Sequence, residues 1–167
     1  MNASKTLLIV YHSMTGGTRQ MAEAARDGAA AEGQGVQVRL LHASEAGPDD
    51  VLSADGYLFA TPENLAAISG QLKDFFDRSY YAVLERVNGR PYASLVCAGS
   101  DGSNAARQIE RIATGWRLKP IAEPLTVCTQ AQTAKAILAP KHIAAGDLER
   151  CRTLGEAMAA GLALGVF

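Results

Sequence analysis

The chain has 167 residues, of which 48% are hydrophobic and 20% charged, and a formal net charge of −1. That length suits one complete core burying about 70% of the unfolded surface, and the near-neutral balance argues against a nucleic-acid partner, whose affinity would rest on a basic field. The early apolar run Leu7 to Val10 is far too short to span a bilayer and no cleavage pattern follows Lys5, so a cytoplasmic protein with no membrane partner is expected. Cys97, Cys128 and Cys151 are an odd number without C-x-x-C spacing, which suggests neither a disulfide framework nor a metal site and leaves them as small buried hydrophobes.

Val-, Ile- and Leu-rich runs alternate with segments of helical period along the chain, the pattern of an α/β fold with a parallel sheet. The first strand is expected at about residues 5 to 11, followed by an alanine-rich helix from Gly17 to about Glu32. A second strand at about 35 to 41 leads to a short, weak helix around Pro48 to Leu52, and a third strand follows at about 55 to 60. Ser69 is placed to cap the clearest helix, in which Leu72, Phe75, Phe76, Ser79, Tyr80, Val83 and Leu84 form the apolar stripe. A fourth strand at about 92 to 98 precedes a helix from Ser103 with the stripe Ala106, Ile109, Ile112, Ala113 and Trp116. The last strand is expected at about 121 to 128 and the last helix from Asp147, with Leu148, Cys151, Leu154, Met158 and Leu162 inward. No repeat, low-complexity tract or long linker interrupts this order, so residues 1 to 167 read as a single domain. Ligands of a doubly wound sheet lie beyond the carboxyl ends of its strands.

The segment "YHSMTGGTRQMAE", residues 11 to 23, stands at that edge and runs directly into the first helix. Successive backbone N–H groups backed by the helix dipole bind an anion without a cationic side chain. Gly16 and Gly17 allow close approach, and the hydroxyls of Ser13, Thr15 and Thr18 can add donors, so a phosphate is the natural occupant. No Lys follows the glycines as a P-loop needs, and the dinucleotide fingerprint G-x-G-x-x-G is missing. The run from Ser13 to Arg19 has the spacing of the C-x5-R loop of low-molecular-weight tyrosine phosphatases, but serine occupies the position of the nucleophilic thiolate. A receiver domain would need acidic residues where Tyr11 and His12 stand.

The motif Ser13-x-Thr15-Gly16-x-Thr18, with Met14 and Gly17 between, resembles the phosphate loop of flavodoxins. That resemblance implies the 5′-phosphate of FMN as the ligand; Gly17 stands where such loops often carry Asn. The third strand runs into "ATPENLAAISGQLKDFFDRSYY", which is similar to the corresponding stretch of NAD(P)H-dependent FMN reductases and of flavodoxin-like NAD(P)H:quinone oxidoreductases. By this resemblance Thr61, Pro62, Glu63, Asn64, Leu65 and Ala66 would flank the isoalloxazine ring. The fourth strand ends in a second glycine-rich loop, and Gly99, Ser100, Asp101 and Gly102 would face the pyrimidine end of the flavin. The resemblance further implies a flavodoxin-like three-layer α/β/α sandwich with five parallel strands in the order 2-1-3-4-5.

Two uses of FMN follow from the resemblance. One-electron carriers of this type are strongly acidic and enclose the ring between aromatic side chains, whereas this chain is near neutral and neither "PENLAAIS" nor "GSDGSN" supplies an aromatic. An open ring face suits hydride transfer, which needs the nicotinamide within about 3 to 3.5 Å. The expectation is therefore an oxidoreductase passing electrons from NAD(P)H through FMN to a quinone or similar small acceptor. No side chain is expected to be catalytic, because the cofactor carries the chemistry. The alternatives are a flavodoxin-type electron carrier and a fold that has lost its ligand and serves as an interaction module. His12 is read as structural and Tyr80 as core; Tyr81 is a candidate contact to ring or subunit. Arg107 and Arg111, one turn apart, are candidates for the extra phosphate of NADPH. The apolar tail "GLALGVF" is a candidate homo-oligomer contact.

Overall fold

A computed structural model describes residues 4–32 and 35–167. The chain order is β1 (Lys5–Tyr11), α1 (Gly17–Glu32), β2 (Val36–His42), α2 (Pro48–Ser53), β3 (Gly56–Asn64), β4 (Ala67–Ile68) and α3 (Gly70–Val83). It continues with β5 (Pro91–Ala98), α4 (Ser103–Gly115), β6 (Lys119–Pro120), β7 (Leu125–Cys128), α5 (Ala134–Leu138) and α6 (Ala145–Leu164).

The sheet runs β2-β1-β3-β5, with β6 and β7 both pairing the outer side of β5, and every pair in this path is parallel. Counting β6 and β7 as one interrupted strand gives the expected order 2-1-3-4-5. The interruption corrects the strand expected at 121 to 128, of which only Leu125–Cys128 joins the ladder as β7. Pro120 and Pro124 bracket the gap, and a proline has no N–H to donate to a ladder.

Side chains alternate across a strand, so β1 sends Leu8 and Val10 to one face and Leu7 and Ile9 to the other, all four fully buried. The first face packs on α2, α3 and α4 through large aromatics: Tyr57, Phe59, Phe75, Phe76, Tyr92 and Trp116 share one cluster. Phe59 stands at its centre, 4.9 Å from Phe76 and 5.8 Å from Tyr57 between ring centroids. The second face packs on α1 and α6 through smaller groups, among them Ala22, Ala25, Cys151, Met158 and Ala159. This asymmetry comes from the sequence of α1, whose alanines keep that layer thin.

Ser69 caps α3 as expected, its hydroxyl accepting from the Leu72 amide at 3.2 Å. The helix ends at Val83, and Leu84 lies beyond it, 40% exposed rather than inward. The last helix begins two residues before the expected Asp147. The short helix α5 and the two-residue strand β4 were not expected from periodicity, which needs longer segments to register.

Candidate functional site

Because β1, β3 and β5 are parallel neighbours, the loops that follow them open at one edge of the sheet. Tyr11 stands beside Ala60 and Pro62 beside Cys97, so residues 12 to 16, the end of β3, and residues 99 to 102 are brought together.

The first loop is braced from within and from behind. The Ser13 hydroxyl accepts the Gly16 amide at 3.1 Å, and Gly16 adopts a left-handed φ of 93°. The Thr15 carbonyl accepts from the Lys141 amide at 2.8 Å. Gln20 on α1 donates to the Lys141 carbonyl at 2.7 Å and accepts from the Ile143 amide at 3.1 Å. Lys141 is itself engaged, its ammonium donating to the carbonyls of Ala136, Ile137 and Ala139 at the end of α5. The segment from β7 to α6 therefore holds the outside of the first loop. Sequence reading missed this brace, since Gln20 and Lys141 carry no motif and meet only in the fold.

Gly17 opens α1 against β5. A Cβ at this position would lie 2.6 Å from Cys97 Sγ and 3.3 Å from Lys141 Cβ. A side chain at position 17, such as the Asn of flavodoxin-like loops, would therefore collide with Cys97 unless the sulfur moved. Burial raises the Cys97 thiol pKa to about 11, only partly offset by the Lys141 charge and the Thr18 hydroxyl, so the sulfur stays a neutral packing group.

Thr18 is 1% exposed, and its Oγ1 has no hydrogen-bond partner of good geometry, although the Cys97 thiol lies beside it. A buried hydroxyl left in this state costs stability unless a ligand or water meets it. The first-turn amides of α1 likewise have no intrahelical acceptor, and that turn contains no acidic residue. Hydroxyls and amides without a neighbouring carboxylate fit a phosphate group. The residues present therefore fit the phosphate of FMN.

At the second loop, β3 turns back on itself as a hairpin: Asn64 pairs Ala67 and Glu63 pairs Ile68. Thr61, fully buried, accepts the Ser69 amide on its hydroxyl at 3.0 Å and donates to the Pro62 carbonyl at 2.9 Å. Glu63 keeps Oε2 buried without a partner, and Leu65 at the tip is fully exposed. At the third loop, Asp101 accepts from the Ser103 amide and hydroxyl at 3.3 and 2.9 Å, and the Gly99 carbonyl accepts from the Gln130 amide at 2.7 Å. Among the residues of the second and third loops there is no aromatic ring, and Asn104, at the start of α4, reaches across to the Ala66 carbonyl of the second loop.

His12 is buried at the root of the first loop, its ring 5.6 Å from that of His42. Burial and then the nearby His42 lower its pKa, and Nδ1 has no partner, so it stands as a neutral imidazole. The Tyr80 ring lies 5.2 Å from that of Tyr81 at a tilt of 58° and is partly buried against the aromatic core, whereas Tyr81 is exposed on α3. Arg107 donates to Asn104 Oδ1 at 2.9 Å and Arg111 is solvent-exposed. Leu164 and Val166 of the tail are exposed, while Phe167 folds back towards Gly161. No helix among the described residues is long and apolar enough to cross a membrane, and no cluster there could hold a metal ion.

The architecture and the open carboxyl edge define a flavodoxin-like α/β/α sandwich. A flavodoxin from the domain Archaea superposes with a TM-score of 0.76 at 18% identity, covering 94% of this chain and 98% of the other. A WrbA-like flavodoxin from Agrobacterium tumefaciens gives 0.67 at 23% identity, with 94% and 96% covered. Residues 45–133, just over half of the chain, match the family model described as NADPH-dependent FMN reductase, and the chain belongs to that family. It is 34% identical over 96 residues to a flavodoxin of Aquifex aeolicus, covering 58% of this chain and 51% of that protein. It is 36% identical over 93 residues to an NAD(P)H dehydrogenase (quinone) of Acidithiobacillus ferrooxidans, covering 44% and 46%. The chain spans about half the length of the curated relatives it matches.

Proposed function

We propose that residues 1 to 167 form one FMN-binding domain that oxidises NAD(P)H and passes the electrons to a quinone or similar small acceptor. The observation that carries this reading is the buried, unpartnered Thr18 hydroxyl in the first turn of α1, at the sheet edge where the loops after β1, β3 and β5 come together. Bound FMN supplies two-electron transfer between nicotinamide and acceptor. In the net reaction NAD(P)H, a proton and the quinone give NAD(P)+ and the hydroquinone.

The chain's own residues bind and orient. Ser13, Thr15, Thr18 and the amides of Met14, Thr15, Gly17 and Thr18 hold the phosphate, while the Gly16 amide shapes the loop through its bond to Ser13. Thr61, Pro62, Glu63, Asn64, Leu65 and Ala66 form one wall of the ring slot, and Gly99, Ser100, Asp101 and Gly102 form the other. Amides of the second wall offer donors where negative charge gathers on reduction. With no aromatic cover on the slot, a nicotinamide and then an acceptor can use the same face in turn. His12 is neutral and buried, so the protons of the acceptor come from solvent. Self-association through the exposed tail residues Leu164 and Val166 belongs to the same reading.

The second reading, an electron carrier reduced by another protein, draws on the relative named a flavodoxin. Anaerobic mixing of the FMN-loaded protein with NADPH or NADH separates the two. Rapid bleaching of the visible flavin band is expected; a flavin that stays oxidised with both donors overturns the reductase reading. Thr15→Asp sets a carboxylate against the phosphate dianion and is expected to abolish FMN binding; unchanged affinity counts against the assignment of this loop.

A further inference from the structure

The hairpin at the end of β3 is built from the wrong residues for its shape. Its two-residue turn, Leu65 and Ala66, has φ values of 49° and 59°. Two positive central φ values are the mark of a type I′ turn, which normally uses Asn-Gly because side chains with a Cβ resist the left-handed region. Packing does not hold the turn either, for Leu65 is fully exposed.

Helix α4 does hold it. Asn104 Nδ2 donates to the Ala66 carbonyl at 2.6 Å, and Gln108 Oε1 accepts from the Ile68 amide at 2.9 Å. The two side chains are one helical turn apart, so they share a face of α4. Arg107 donates to Asn104 Oδ1 at 2.9 Å, which fixes the amide with its NH2 group towards Ala66. The same helix begins directly after Gly102, the end of the opposite wall of the slot. One turn of α4 therefore ties the two walls together.

We propose that Asn104 and Gln108 are positioning residues that hold the Leu65–Ala66 turn in its strained form and so set the width of the slot. This rests on the reading of that slot as the flavin ring site. The clamp acts through the hairpin backbone, and Arg107 belongs to it as the residue that orients Asn104.

FMN affinity, measured by quenching of flavin fluorescence, tests the proposal together with hydrogen exchange of the apoprotein. Asn104→Ala and Gln108→Leu are each expected to weaken FMN about three- to tenfold with little change in Tm, the scale of one lost hydrogen bond. Gln108→Glu retains an acceptor oxygen and should bind nearly as the parent does. Adding Ala66→Gly to Asn104→Ala should restore affinity, since glycine takes the left-handed conformation unaided. Parent-like affinity in both single variants, or no recovery with Ala66→Gly, overturns the proposal. If the parent protein itself fails to bind FMN, the cofactor reading falls, and the clamp is then judged on the apoprotein. There the Ile68 amide should lose about tenfold protection in Gln108→Leu and keep it in Gln108→Glu; equal protection in the two overturns the clamp.

Discussion

Gly17→Ala isolates the close contact between α1 and β5. The new Cβ would sit 2.6 Å from Cys97 Sγ, where comfortable contact between such atoms is about 3.5 to 4.0 Å. About 1 Å of movement is needed, with Lys141 Cβ also tight at 3.3 Å and Ile143 in ordinary contact at 3.5 Å. Overpacking of this kind costs ~1–3 kcal/mol. Alanine recovers part of the ~1 kcal/mol helix-propensity difference, and only part because Gly17 is the first helical residue. The expected net loss is ~1–2 kcal/mol, or a Tm lower by about 2 to 8 °C at this chain length. Urea unfolding of the apoprotein measures it without any flavin. Cys97→Ala removes the sulfur that the new methyl meets, so the double variant should be more stable than the sum of the two singles by ~1–2 kcal/mol. Strict additivity, or an undiminished Tm in Gly17→Ala, would refute the contact.

Three further outcomes are expected. Iodoacetamide at pH 8 should modify exposed Cys128 first, with Cys97 and Cys151 reacting only in denaturant, as counted by intact-mass spectrometry; prompt triple labelling of the native protein contradicts the burial described. The buried thiols of Cys97 and Cys151 are raised to about 11 and about 12, so their contribution to stability is full below the unfolded value near 8.5 and is lost as pH rises towards 11 and 12. Urea midpoints that hold level from pH 8.5 to 11 speak against this, and Cys97→Ala should flatten part of the slope. His12 has the opposite sign: its lowered pKa means that stability is lost as pH falls below about 6.5, and His42→Leu should raise the His12 pKa in an NMR titration.

Much of the fold was legible because its signals are long and local. The helix from Gly17 to Glu32 follows from its alanine-rich run and the core stripe of α3 from its period, and apolar strands announce a sheet covered on both faces. The meeting of three loops at one edge follows once parallel neighbours are assigned. What escaped depends on contacts distant in sequence or on turns that break the usual chemistry. The β3–β4 hairpin has Leu and Ala where Asn and Gly would signal it, and it stands because α4 holds it. Gln20 and Lys141, separated by 121 positions, meet only after the sheet has formed. The last strand is expected too long because its apolar letters outweigh Pro124, which stands in the gap between β6 and β7.

Helices α1 and α6 meet backbone to backbone: a Cβ on Gly28 would fall 2.1 Å from the Arg152 carbonyl oxygen, and one on Gly155 would fall 1.9 Å from that of Ala25. The two contacts lie close together along α1 and key the helices to each other like paired notches, so α1 cannot slide or roll without a backbone collision. The consequence reaches the other end of α1, where the amides proposed to bind the phosphate stand. On that proposal their aim is set when the protein folds, which would spare binding the entropy of ordering a loop. The first loop would then be a preorganised receptor whose footing lies in two glycines remote from it.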